Sequence, residues 1–466
     1  MSDLFWAGDE RAGDLFGAAG FVAAMTAVEF AWLQALVSAG IAPGSAAVSH
    51  PADWPELTSP ENVEAIAIGA EAGGNPVLPL VKLLGERLTD RNPVAAQWLH
   101  QGLTSQDVVD TALVRCTHDV LDRLRTEFVG QVGSLQRLSG THRGTLMAGR
   151  TLTQFAVPTT FGLKAAVWLQ GILDAADTAR EVRRGLRGQF GGAAGTMAAT
   201  VDLADRAGLS EPARRAEDAV AEASRLLGLA ASPPWHTSRA PLTRIGDALV
   251  GCTDAWGHLA TDVITLSRPE IAELAEPVVA GRGSSSTLPQ KRNPVLSVLI
   301  RRSALTAPML GAQLHLAAAD AGDERPAGAW HTEWAALRTL ARNTVVAASQ
   351  TTELLAGLTV DPARMLATLQ AASPGILAER LKPGPAGLGE AGLGQAGLGQ
   401  PGQGPSHETA DDILNRALDD VLDQFVDDVQ GHADRRLDPR GYLGTSELTI
   451  DATLARAETF LRLEGE

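Results

Sequence analysis

The sequence predicts an all-α protein, and three observations carry that prediction. Aromatic residues make up only 4% of the 466 residues, while Gly, Ala and Leu are abundant; this mix suits close-packed helices better than a β-sandwich. Apolar residues recur at steps of three and four over stretches far longer than a strand. No comparable apolar–polar alternation appears, so at most minor β-structure is expected. The length corresponds to about three domains, and 45% hydrophobic residues supply a sizeable core.

The elements follow in chain order. The most apolar window, Phe21 to Ala42, contains Glu29 and Gln34 and reads as a core helix rather than a membrane span. Gly40, Pro43 and the stretch from Pro51 to Pro60 interrupt the N-terminal helices. From Asp107 to Leu138, Val109, Leu113, Cys116, Val120, Leu124, Phe128, Val132 and Leu135 form one apolar stripe. A stripe that long needs partner helices, which predicts a bundle core. A second long helix is expected from Phe161 to Arg187. Ala231–Pro234 ends a helix and opens a turn. A third long helix starts near Ile245 and continues through Leu249, Cys252, Trp256, Leu259 and Val263. The segment from Ala280 to Pro294 reads as a Gly/Ser-rich loop between two long helices. Pro383 to Pro405 is low in complexity, with Ala-Gly-Leu-Gly-Glu/Gln three times between Ala386 and Gln400. Its glycines oppose a packed helix, so a mobile surface insertion is expected, with a functional lid as the alternative. An amphipathic helical region resumes at Ser406.

A net charge of −16 argues against a general nucleic-acid or anionic-membrane surface. It leaves room for a local cluster of Arg and Lys that binds a small anion. Cys116 and Cys252 lie far apart in apolar helical patterns, which reads as two buried thiols in a reducing compartment. The opening MSDLFWAGDE shows no signal-peptide pattern, so a cytoplasmic location is expected.

The sharpest chemical signal is Gly283-Ser-Ser-Ser-Thr-Leu-Pro-Gln-Lys-Arg-Asn-Pro294. Backbone amides and hydroxyls in such a loop can hold a carboxylate, and Lys291 adds a positive charge; taken alone it would also read as a polar interhelical turn. The stretch resembles the signature loop of the fumarase/aspartase superfamily through Ser285, Ser286, Pro289, Lys291, Asn293 and Pro294. Two further regions of that superfamily appear in the expected order. One is His100-x-Gly102-x-Thr104-Ser105-x-Asp107-x-x-Asp110; the other is Gly149-Arg-Thr-x-x-Gln154-x-Ala156-x-Pro158-Thr-Thr-Phe-Gly162. The opening Asp-Leu-Phe-Trp, Gly74-Asn75-Pro76, the run from Gln189 to Thr196, Trp235-His236-Thr237, Trp330-His331-x-Glu333-Trp334 and the run from Leu437 to Gly444 resemble the 3-carboxy-cis,cis-muconate cycloisomerase branch. The resemblance extends over nearly the whole chain.

The resemblance implies three helical domains: residues 1–106, a central long-helix bundle over 107–350 that carries the loop 280–294, and 351–466 with the insertion 383–405. It implies a homotetramer whose active sites are assembled from loops of three chains, a small di- or tricarboxylate substrate, and no metal or cofactor. Ser285 would be the general base that takes a proton from carbon beside a carboxylate. A free serine is far too weak for that and must be activated by fixed positive charge and amide dipoles. Lys291 and Asn293 would stabilise the developing charge. Thr104, Ser105, Arg150, Thr151, Gln154, Ser286 and Arg325 would orient the substrate. From the residues alone, Thr104 and Ser105 read equally as helix N-caps, and Arg150 and Arg325 as surface ion pairs. His236, with Thr237 and Arg239 nearby, is the proton-donor candidate; a core or capping histidine is the alternative. His100, His236 and His331 lack the spacing of a metal motif.

The chain departs from the superfamily at several imidazole positions. Leu152 follows Arg-Thr where many superfamily lyases place histidine, a departure shared with the muconate cycloisomerase branch; Phe155 stands where some of that branch have histidine, and Gln290 and Asp323 where relatives often have it; Ser284 and Leu288 also differ from the signature. An acid matters less when the leaving group is already a stable anion. Two activities are therefore expected in parallel. One is β-elimination from a substituted succinate to fumarate, with nitrosuccinate losing nitrite as the example. The other is cycloisomerisation of 3-carboxymuconate to 4-carboxymuconolactone. A catalytically inactive carboxylate-binding scaffold is the alternative from another class.

Overall fold

The structure, a computed structural model, describes residues 3–48, 54–284, 287–288, 290–372, 375–381 and 437–465. A 3-10 turn at Asp9–Ala12 precedes α1 (Ala18–Ser38), α2 (Pro60–Gly73), α3 (Val77–Arg91), α4 (Pro93–Trp98) and α5 (Ser105–Thr141). A hairpin of β1 (Leu146–Thr151) and β2 (Gln154–Thr160) leads into α6 (Phe161–Arg184), α7 (Ala198–Arg206), α8 (Pro212–Leu226) and α9 (Ala240–Leu266). After β3 (Leu274–Ala275) come α10 (Val295–Ala319), α11 (Ala329–Gly357), β4 (Thr359–Val360), α12 (Pro362–Ala371), α13 (Ala378–Leu381) and α14 (Ser446–Gly465). The all-α expectation holds: among the described residues the strands make only two small antiparallel pairs, β1–β2 and β3–β4.

The stripe from Val109 to Leu135 is buried along α5, whose 37 residues give a rod about 55 Å long. α5 packs against α1, α6 and α11, and α9 lies across α6 and α11. Gln131 joins three of these helices: its Nε2 donates to the Ala348 carbonyl at 3.0 Å, and its Oε1 accepts from Trp256 Nε1 at 2.8 Å. Each half of this buried amide is satisfied, so it fixes register without leaving a polar orphan. α10 approaches α9 closely because small residues face it. A Cβ on Gly257 would lie 2.5 Å from that of Ala304, and one on Gly246 would meet Leu314 at 2.6 Å. On its other side α10 exposes Val298, Leu305, Met309 and Leu316; their spacings of seven and four place them on one face.

Two described helices are long and apolar enough to cross a membrane, α1 and α10. α1 is largely core, as expected from Glu29 and Gln34 within it. Cys116 and Cys252 are both buried and unpaired, and burial pushes each thiol up to about 12.

Three boundaries differ from expectation. α6 stops at Arg184, with Gly185 at its C-cap. α8 ends at Leu226, five residues before Ala231, where Gly228 takes φ +69° and terminates the helix in the left-handed conformation. The irregular connection from α9 to α10 spans 267–294 and includes β3, so it is longer than the loop read from composition. The insertion 383–405 and the helix expected from Ser406 lie outside the described residues. We keep the three-domain division as a proposal; its cuts fall at the start of α5 and inside α11.

Candidate active site

Those residues singled out by sequence that the structure describes gather at the two ends of the bundle. The first group surrounds the start of α5. Thr104 is the N-cap in an extended conformation and forms a capping box with Asp107, whose Oδ2 accepts from the Thr104 amide at 3.0 Å. The N-cap reading of Thr104 is thus realised. Its hydroxyl also accepts a hydrogen bond from the exposed Arg325 guanidinium, so the structure brings Thr104, Ser105 and Arg325 together.

Asp107 does more than cap. It is fully buried, and its Oδ1 accepts from the Gly191 amide and Gln189 Nε2, both at 3.0 Å, while Oδ2 accepts from the Gly192 amide at 2.9 Å. His236 Nε2 stands 3.3 Å from Oδ1. The His236 ring is almost enclosed, against Gln189 and over Gly191, where a Cβ would come within 2.4 Å of Cε1. Behind it, Arg239 forms an ion cluster with almost no exposed side-chain surface. Its guanidinium donates to both oxygens of Asp110, at 2.7 and 3.0 Å, and to both of Glu333, at 3.0 and 2.6 Å; Trp330 Nε1 donates to Asp110 Oδ1. Burial alone would lower the Arg239 pKa, but Asp110 and Glu333 hold it above the usual arginine range. Glu333 is pushed up by burial, against the pull of Arg239. Removing one member of such a cluster leaves a buried charge uncompensated, at a cost of about 3–5 kcal/mol.

The second group lies at the opposite end. Arg150 on β1 is held by Glu273, just past α9, through contacts of 2.9 and 3.1 Å; Glu273 is fully buried. Arg150 is therefore a paired, half-buried cation rather than a surface one. Thr151, Leu152, Thr153 and Gln154 form the exposed tip of the hairpin. The signature loop begins and ends at a neck. The Asn293 amide donates to the Gly283 carbonyl at 2.9 Å, and Asn293 Nδ2 donates to the same oxygen at 3.2 Å. Gly283 has φ +68°, and a Cβ there would strike the Asn293 carbonyl at 2.6 Å, so this position requires glycine. Glu276 caps α10, accepting from the amides of Leu296 and Ser297 and from the Ser297 hydroxyl at 2.6–3.0 Å. Arg282, beside the neck, and Arg11 both pair with Glu353, which lies below its usual range because those two guanidinium hydrogen bonds outweigh burial. Lys291 is exposed. Ser285 and Ser286 lie outside the described residues.

One chain does not unite the two groups. The 27 residues of α9 separate Arg239 from the Glu273 end by about 40 Å. Glu29, Asp107, Gln189 and the Asp110–Arg239–Glu333 cluster received no role from sequence. Most sit inside the quoted motifs, and Glu29 was legible as a lone acid within an apolar helix. Among the described residues His118, Asp119 and Asp122 could together hold a metal ion. Arg115 on Asp119 and Arg183 on Asp122 already supply positive charge there.

Residues 65–307 match a protein family described as lyase. The chain is 39% identical to nitrosuccinate lyase of Streptomyces davaonensis over 438 residues, covering 93% of this chain and 90% of that protein. It is 34% identical to 3-carboxy-cis,cis-muconate cycloisomerase of Pseudomonas aeruginosa over 454 residues, 95% of this chain and 93% of that protein. Its fold is similar to the crystal structure of 3-carboxy-cis,cis-muconate lactonizing enzyme from Pseudomonas putida, with a TM-score of 0.78 and 28% identity over 96% of this chain and 97% of that one.

Proposed function

The chain belongs to the lyase family of the fumarase/aspartase superfamily, and from that premise we propose that it eliminates nitrite from nitrosuccinate to give fumarate. Ser285 takes a proton from the methylene carbon beside one carboxylate. The electron pair left behind forms the carbon–carbon double bond. The carbon–nitrogen bond breaks, and nitrite departs with the bonding pair.

The observation that carries this reading is the tip of the β1–β2 hairpin. Leu152 is 96% exposed, and its neighbours Thr151, Thr153 and Gln154 are not acids in the neutral range. Among the described residues the cation beside them is Arg150, which is tied to Glu273. The tip therefore offers no proton donor, which suits a leaving group that departs as a stable anion. The similarity to a nitrosuccinate lyase over 93% of the chain points the same way. His236, beside Asp107 but almost enclosed, is retained as the candidate donor for any step that needs one. The second reading, cycloisomerisation of 3-carboxy-cis,cis-muconate, is favoured by the fold similarity to a lactonizing enzyme.

We also propose a homotetramer in which the start of α5 from one chain meets the hairpin and signature loop of others. The distance between the two groups and the open apolar face of α10 support it. A small dicarboxylate is then met by Thr104, Ser105, Arg325, Thr151, Gln154, Ser286 and Asn293, with Lys291 near the developing charge. A substrate screen tests the reading: fumarate and nitrite should appear from nitrosuccinate, whereas consumption of 3-carboxymuconate alone would select the second activity. Ser285→Ala should lower kcat by orders of magnitude with an unchanged melting temperature; near-normal turnover removes serine from the role of base. EDTA should leave turnover unchanged.

A further inference from the structure

Midway along the bundle lies a cavity that the site described above does not use. Leu121 and Phe128 of α5, Ala179 of α6, and Phe460 and Leu463 of α14 line it, and its volume is about 200 Å³. Four guanidiniums stand around the same space: Arg125 of α5, and Arg180, Arg183 and Arg184 at the end of α6. Arg125 lies about 30 Å along α5 from Ser105 and about 25 Å before Thr141, so the cavity is remote from both groups of candidate-site residues. It is also on a different side of the bundle from α10, which packs on α9 and α11, whereas α14 packs on α5 and α6.

The positive charge around this cavity is not fully taken up. Asp122 holds Arg183 through Nε, and Asp177 pairs with both Arg180 and Arg456 of α14. Among the described residues of the lining, Glu464 is the one acid. Its side chain is only 6% exposed, and Arg125 donates to its carboxylate and to its backbone carbonyl. Glu464 Oε1 stops 3.5 Å from Arg180 Nη1, which is buried and makes no hydrogen bond. That nitrogen is an open position for an acceptor. Arg184 is exposed and makes no ion pair among the described residues. In a chain of net charge −16, a converging set of arginines with donors to spare calls for an anion.

The apolar walls narrow the choice of anion. Arginine binds a carboxylate through two parallel hydrogen bonds, while Phe128 and Phe460 are buried rings that offer only carbon to a ligand. A cavity of about 150 Å³ lined by Leu and Phe holds one benzene ring, so one of about 200 Å³ takes a ring together with a carboxylate. We propose that this cavity binds a small aromatic monocarboxylate, with its ring against Phe128 and Phe460 and its carboxylate accepting from Arg184 and from Arg180 Nη1. Such a ligand joins α6 to α14 and is not a substrate. The proposal stands independently of the elimination reading.

Benzoate is the probe, titrated into the full-length protein by calorimetry and in thermal melts. Inorganic phosphate, which lacks the ring, and benzyl alcohol, which lacks the charge, are the controls. Wild-type protein should bind benzoate at this site and melt at a higher temperature in its presence, and saturating succinate should not displace it. Phosphate and benzyl alcohol should each bind at least about tenfold more weakly. Arg184→Gln, at an exposed position, should leave the melting temperature of the free protein unchanged and weaken benzoate by roughly tenfold. Ala179→Leu fills the cavity and should abolish binding; if that variant does not fold, Arg184→Gln decides alone. Benzoate binding that is untouched by Arg184→Gln, or displaced by succinate, lies elsewhere and overturns the proposal. Phosphate binding as tightly as benzoate overturns it too, because the apolar wall then selects nothing, and so does a wild-type protein that binds no benzoate.

Discussion

Leu152 and Thr153 form a two-residue turn with φ of +48° and +73°, the geometry that Asn-Gly adopts without strain. An L-residue held there costs about 1–2 kcal/mol, and Leu152 gains no packing in return because it is almost wholly exposed. Strain that persists without local compensation is typical of functional tips. Thr153→Gly should therefore raise the melting temperature while lowering turnover; a stabilised variant with unchanged kcat would make the turn a structural accident. A second expectation concerns His100, whose Nδ1 lies 2.6 Å from Oε1 of the buried Glu29; burial alone would lower its pKa, but Glu29 outweighs it. Because its folded pKa is raised, the Glu29 pair contributes stability that is complete below the unfolded value near 6.5 and is lost as pH rises through the folded value. Unfolding midpoints of wild type and His100→Gln should thus converge at alkaline pH, and a gap that widens with pH would contradict the pairing. In sequence, Glu29 was visible only as an acid in an apolar run. Its partner, 71 residues away, could not be read because nothing local sets that contact.

Helices were the most legible level. The apolar stripe of α5, its start at Thr104 and the course of α9 follow from periodicity and capping chemistry, which are local. The β1–β2 hairpin was not foreseen: its second strand and the end of its first sit inside a motif read for chemistry, and its turn carries no Asn or Gly to announce it. Gly162 shows what such motifs encode. A Cβ there would lie 2.4 Å from Arg143 Cα, since the first turn of α6 is pressed against the end of α5. Gly162→Ala should therefore destabilise the fold by at least about 1–3 kcal/mol, read from denaturant midpoints; a neutral result would show that this junction can separate. At α10, Glu276 takes over the capping normally done by a nearby Ser or Asp. Glu276→Ala should cost about 1–2 kcal/mol and slow turnover, because the cap also anchors the neck of the signature loop.

At the level of the molecule, one chain holds the described candidate-site residues at separate ends of a long bundle, and the open face of α10 is where assembly is proposed. Replacing Leu305 and Met309 together by Glu should give smaller, inactive species by light scattering; an intact, active assembly would place the interface elsewhere. Sequence motifs supplied the candidate residues by type, but periodicity carries no information about which chain completes which site. The central claim is that Ser285 of one chain acts on substrate held beside Thr104 and Arg325 of another. Mixing separately purified Ser285→Ala and Arg325→Ala proteins, unfolding and refolding them together, tests it directly. Each variant alone should be severely impaired, and the mixture should recover up to about a quarter of wild-type activity, as random exchange between chains requires. A mixture no more active than its components would mean that both residues must come from the same chain, contrary to this account.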